Sequence, residues 1–85
     1  MFYVYIAVSG KTNKYYIGQT NNLVRRLSEH NNPKINKGSF TKLQGKDWQI
    51  IYSEEFDTRQ KALIREKYLK SHIGRDWIKQ NVLGR

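Results

Sequence analysis

Two short alternating stretches at the start of the chain constrain its fold more than anything that follows. Phe2, Val4, Ile6 and Val8 fall on one side of a strand of period two, with Tyr3, Tyr5 and Ala7 on the other. Ser9-Gly10-Lys11-Thr12-Asn13 reads as a turn, and Lys14–Thr20, rich in Tyr and Ile, reads as a second strand. Strands this close in sequence pair as an antiparallel hairpin. With Val8 paired to Asn13, Tyr5 falls opposite Tyr16, and Gly18 lies on the same face. A glycine inside a strand costs stability and often marks a close approach by another group. Ordinary cross-strand packing of the two tyrosines is the plainer reading, and both stay open.

Asn21 and Asn22 are good helix caps, and Leu23, Val24 and Leu27 give a helix ending near Asn31 an apolar stripe. Residues 31–45 hold the only proline, two glycines and three lysines, the pattern of a mobile basic loop. Trp48–Ser53 reads as a third strand. Asp57, with Gln60 three residues on, resembles a capping box opening a helix to about His72. Gly74 is expected to break that helix, and Asp76–Val82 to form a short terminal one. The order is ββαβαα.

Eighty-five residues are expected to form one domain, residues 1–85, with a thin core. Cysteine is absent, which excludes disulfides, thiol catalysis and thiolate zinc sites. No apolar run is long enough for a membrane helix, and residues 1–8 lack the features of a secretory signal, so a cytoplasmic protein without a membrane partner is expected. The net charge of +9 points to a polyanionic partner, most simply nucleic acid. A basic surface without any partner is the alternative.

Three polar residues lie within or beside the apolar stripes of helices. Arg26 and His30, four apart, border the apolar stripe of the first helix on one side. Beside an arginine in a basic protein, a histidine that would otherwise be a core-edge residue becomes a candidate for phosphate chemistry. Glu66 falls within the stripe drawn by Ala62, Leu69 and Ile73. An unpaired carboxylate there would be costly, so it is either in a structural salt bridge, for instance with Arg26, or held for a metal ion.

Tyr3-Val4-Tyr5, Tyr16-Ile17-Gly18 after a short turn, Arg25-Arg26-Leu27, His30 and the later Glu66 together resemble the GIY-YIG nuclease superfamily. That group includes the amino-terminal nuclease domain of the repair excinuclease, homing and restriction endonucleases, and structure-selective junction nucleases. The chain is most similar to its small stand-alone, excinuclease-like members. Tyr3 stands where the first motif has its glycine, and Tyr5 keeps the tyrosine position.

The resemblance implies an α/β (α+β) fold, a three-stranded, mostly antiparallel sheet flanked by helices. It implies a metal-dependent endonuclease acting on DNA, with RNA left open and with a link to repair or recombination. Tyr5 would be the general base, and Tyr16 would orient or activate the attacking water. His30 would accept or relay a proton, and Arg26 would bind the scissile phosphate. Glu66 would be the sole protein ligand of one divalent cation, Mg2+ or Mn2+. Asn81 fits the place of an active-site asparagine in some relatives.

One carboxylate is enough for such a hard ion, because waters and substrate oxygens complete its shell. Lys11, Lys14, Arg25, Lys34, Lys37, Lys42 and Lys46 would track a phosphate backbone. Trp48, Trp77, Phe40 and Tyr52 are expected in core packing rather than base stacking. The rival reading is a binding module of the same fold that cuts poorly or not at all. A weaker third is an accessory protein targeted by a protein partner.

Overall fold

A computed structural model describes residues 1–10, 14–31 and 48–84. Among these, β1 (Phe2–Ser9), β2 (Tyr15–Thr20), α1 (Leu23–His30), β3 (Trp48–Phe56), α2 (Arg59–Lys70) and α3 (His72–Asn81) follow in the expected order. The sheet order is β2-β1-β3 and both pairings are antiparallel. The central strand therefore has helices over both faces. Val4 and Ile6 join Ile17, Ala62, Leu69 and Ile78 in one cluster, under α2 and α3. Tyr5 and Ala7 form a second cluster with Trp48, bordered by Leu23 and Leu27 of α1. This explains why neither side of the Phe2–Val8 alternation is polar.

The hairpin register differs from the one expected. Tyr5 lies opposite Gly18, and Val8 opposite Tyr15. Ser9 continues the strand instead of opening the turn. Its amide donates to the Lys14 carbonyl at 2.9 Å, and across the sheet it pairs with Trp48. The slip is two residues, so the period-two faces are conserved. Tyr5, Tyr16 and Gly18 remain on one side, with the two tyrosines now diagonal neighbours.

The helix ends follow local chemistry. Asn22 caps α1, its side-chain oxygen accepting from the Arg25 amide at 3.0 Å. The cap of α2 is Thr58, one residue past the expected Asp57, and its hydroxyl accepts from the Lys61 amide at 3.2 Å. Ser71 ends α2 and begins α3, its hydroxyl accepting from the Gly74 amide at 3.2 Å.

Gly74 is thus not the breaker. It is buried inside α3, where a Cβ would collide with the Tyr68 carbonyl and come within 2.6 Å of Leu69 Cα. Glycine is needed there because two helix backbones nearly touch. Since α2 stops at Lys70, Ile73 leaves its stripe and is 68% exposed.

The third strand runs three residues past its expected end. Glu54, in that extension, accepts two hydrogen bonds from Arg65 of α2, at 2.9 and 3.0 Å, and one from Tyr52. The Arg65 guanidinium also lies over the Trp77 ring at 5.3 Å, joining β3, α2 and α3 in one polar-aromatic staple. Trp48 is 2% exposed, and Tyr52 and Trp77 pack on the edge of the core, as expected. Phe40 and most of the loop over residues 31–45 lie outside the described residues.

Candidate active site

The Tyr5 hydroxyl is the meeting point of three side chains. It lies 2.7 Å from His30 Nε2 and accepts from Arg26 Nε at 3.1 Å. The central strand supplies the phenol, and one face of α1, four residues apart, supplies the other two groups. Tyr16 closes the cluster, its ring 5.0 Å from that of His30 and 6.2 Å from that of Tyr5. Gly18 is the condition for this arrangement. A Cβ there would lie 2.5 Å from the Tyr5 hydroxyl and 2.9 Å from the Tyr16 ring. The group approaching the strand glycine is therefore the site's own phenol.

Two further contacts hold His30 in place. The ring packs against Trp48, with centroids 6.0 Å apart. At the end of α1, Asn31 donates to the Trp48 carbonyl at 3.1 Å and accepts from its amide at 2.8 Å. This paired contact fastens the last turn of α1 to the first residue of β3.

Burial sets the protonation states. Tyr5 is fully buried, and its pKa is pushed up to about 12 by desolvation, against the opposing pull of Arg26. His30 is 1% exposed; burial first, and then the Arg26 charge, lower it to about 4. Desolvation works against the charge on Arg26, but its bonds to Tyr5 and Glu29 outweigh that and keep the guanidinium ionised. Arginine can only donate, so the phenol oxygen accepts from Arg26, and in the tautomer that carries the ring proton on Nδ1 the phenol's hydrogen is given to His30 Nε2. His30 Nδ1 is buried and has no hydrogen-bond partner among the described residues.

This arrangement makes stability pH-dependent. The folded pKa of His30 lies below its ordinary value of 6.5, so between the two only the unfolded chain takes up the proton. Stability from this group is therefore complete above about pH 6.5 and lost as the pH falls toward 4, by roughly 2 kcal/mol at pH 5. Urea unfolding at about pH 7.5 and pH 5 should show that loss, and His30→Gln should remove most of it. An equal loss in the variant would place the titration elsewhere.

Glu66, on α2, is 18% exposed and pairs with Lys70 Nζ at 2.9 Å. The salt bridge with Arg26 considered from the sequence does not form; Arg26 Nη1 pairs with Glu29 at 3.1 Å. Only one Glu66 oxygen, Oε2, is hydrogen-bonded among the described residues. The Glu66 charge is among those that raise the Tyr5 pKa, which puts the carboxylate within electrostatic reach of the phenol. No group of three or more His, Cys, Asp or Glu able to hold a metal occurs among the described residues. Any ion here would rest on a single carboxylate. A hard oxygen donor with a free lone-pair side fits a Mg2+ or Mn2+ ion that keeps most of its waters.

The other expected site residues are more dispersed. Asn81 is exposed near the end of α3, its amide donating to the Trp77 carbonyl of the same helix at 2.9 Å. Arg25 is exposed and donates to Asn21 at 2.9 Å. Lys14 is exposed beside β2. Lys11, Lys34, Lys37, Lys42 and Lys46 lie outside the described residues. Two residues the sequence did not single out lie against this region, namely Glu29, paired with Arg26, and Arg59, in the first turn of α2. The i, i+3 spacing of Arg26 and Glu29 was the available signal for the first.

A small mixed fold thus gathers two phenols, a guanidinium and a neutral imidazole around one hydroxyl. The chain belongs to the GIY-YIG family: the family model described as GIY-YIG catalytic domain matches residues 1–80. Members of that family are nucleases, and nucleic acid is their substrate class.

Among curated relatives, the UPF0213 protein YazA of Bacillus subtilis is 38% identical over 69 residues, covering 81% of this chain and 64% of the relative. A UPF0213 protein of Clostridium perfringens is 39% identical over 70 residues, covering 82% of this chain and 71% of its own. One from Limosilactobacillus reuteri is 32% identical over 75 residues, covering 87% and 75%. The chain thus spans somewhat less than two thirds of the length of YazA. No solved structure matches. Among the described residues no helix is long and apolar enough to cross a membrane.

Proposed function

We propose that the chain is a divalent-cation-dependent endonuclease that hydrolyses DNA phosphodiester bonds at the Tyr5 cluster. The observation carrying this reading is the Tyr5 hydroxyl held between a donor that stays charged, Arg26, and an acceptor that stays neutral, His30. A phenol with a pKa near 12 is not a standing base. It becomes one when its proton has somewhere to go. As Tyr5 takes a proton from water, its own hydrogen passes to His30 Nε2, 2.7 Å away, with the imidazole in the tautomer that carries its proton on Nδ1. Tyr16 borders the space beside both rings and orients the attacking water. Arg26 turns from Glu29 to the scissile phosphate and meets the charge that develops there.

Glu66 would hold Mg2+ or Mn2+, which when bound supplies charge neutralisation at the phosphoryl and leaving oxygens. Asn81 would join the site only by releasing the Trp77 carbonyl. Lys14 and Arg25, with the lysines of residues 31–46, would position the backbone without reading sequence. DNA of altered structure, as met in repair or recombination, is the substrate the wider family resemblance favours, in the cytoplasm.

The test is a cleavage survey on branched, nicked, single-stranded and duplex DNA, and on RNA, with Mg2+ or Mn2+. At least one DNA substrate should be cut, and a chelator should abolish cutting while binding persists. Binding to every substrate with no cutting under either metal would favour a binding module of this fold.

A further inference from the structure

Sharing Arg26 with the Tyr5 cluster, a polar groove of about 290 Å³ opens beside α1. Its walls include Gln19 of β2 and Asn21 just after it, Arg25, Arg26 and Glu29 from α1, and Arg59 from α2. Three arginines and one carboxylate line it. Glu29 is shared, lying 3.1 Å from Arg26 Nη1 and 3.7 Å from Arg25 Nε. The Arg59 side chain makes no hydrogen bond or ion pair among the described residues, although it lines the same groove.

The position of Arg59 has no explanation in helix stability. It is the first residue of α2, where the backbone presents unpaired amides and the positive end of the helix dipole. A cation there is mildly unfavourable, and the first turn holds no acidic residue to offset it. Gln19 and Asn21 add neutral groups able to donate to oxygen anions. A concave, cationic wall with a single internal counter-charge suits a ligand that brings negative charge at regular spacing.

We infer that this groove binds the phosphodiester backbone next to the scissile phosphate, with Arg59 and Arg25 on the flanking phosphate. Glu29 occupies the arginines until the strand arrives. The inference rests on the nuclease reading for the role of Arg26, and it adds the path of the strand and a contact residue, Arg59. The carboxylate of Glu29 stands where a phosphate oxygen would sit against Arg26 and Arg25. Its presence keeps the Arg25 and Arg26 guanidinium groups ordered, and its displacement costs affinity.

Affinity is measured by fluorescence anisotropy with labelled DNA and RNA oligonucleotides, in the presence of a chelator so that no cutting intrudes. Titrations run from about 50 to 200 mM salt. Arg59→Gln should weaken binding about 3- to 10-fold and lower the log–log salt slope by about 1. Arg59→Lys should restore most of the slope. Glu29→Gln should bind more tightly than the parent. Lys79→Gln, an exposed α3 position outside the groove, should change neither quantity.

An unchanged slope in Arg59→Gln would overturn the inference and leave the nuclease reading intact. An equal loss in Lys79→Gln would overturn it too, by showing a diffuse field instead of a groove. A parent that binds neither DNA nor RNA would also overturn it. A groove-dependent slope in a protein that never cuts would keep this inference and end the nuclease reading.

Discussion

Arg26→Ala is expected to lower single-turnover DNA cleavage by about 10³-fold or more. Arg26 touches the phenol and has a second arm, Nη1, held among the described residues by the side chain of Glu29. Removing it takes away the donor to Tyr5 and the positive charge opposite the phosphate in a single step. The same substitution has a second effect that a purely structural role would not produce. The Arg26 charge is one cause of the lowered His30 pKa, so in the variant that value should rise from about 4 toward the ordinary 6.5. Titration of the His30 ring protons by NMR reads this directly, without any cleavage. A variant that cuts at the parent rate, or a His30 that still titrates near 4, would dissociate the arginine from the site.

Glu66→Gln is expected to reduce metal-dependent cleavage by a similar factor while barely changing stability. The carboxylate makes one ion pair, with Lys70 in an i, i+4 relation on a partly exposed face, so its loss should cost no more than about 0.5 kcal/mol. Replacing a negative charge close to Tyr5 should also lower the phenol's pKa, because Glu66 is among the groups that raise it. Cleavage should fall, unfolding midpoints should hold, and affinity for DNA should stay level or rise as a repulsive charge is removed. A large drop in melting temperature would instead make Glu66 a structural residue of the α2 stripe.

Most of this site was legible in the sequence because it depends on periodicity. Strand alternation put Tyr5, Tyr16 and Gly18 on one face, and that survived a slip of the register. Helical spacing put Arg26 and His30 on one side of α1, and they meet at the Tyr5 hydroxyl. Glu66 was marked by a charge within an apolar stripe, and it is indeed largely covered.

What failed depended on partners distant in the chain. Ser9 has the composition of a turn, but its pairing with Trp48 on β3 draws it into the sheet, and local propensity yields to that contact. Gly74 has the composition of a breaker, yet it serves a helix–helix contact, while Ser71 does the breaking through its own hydroxyl. Arg59 and Glu29 escaped notice because exposed charges on amphipathic helices look alike. Only the groove that joins them sets them apart.

Whether Tyr5, Arg26, His30 and Glu66 serve one phosphate is tested most directly by combining Arg26→Ala with Glu66→Gln and measuring single-turnover cleavage beside both single variants. Groups that act as a unit are strongly non-additive. The doubly substituted protein should therefore cut within about tenfold of the slower single variant. Losses that multiply in full would mean that guanidinium and carboxylate act on separate events, and would contradict a common site.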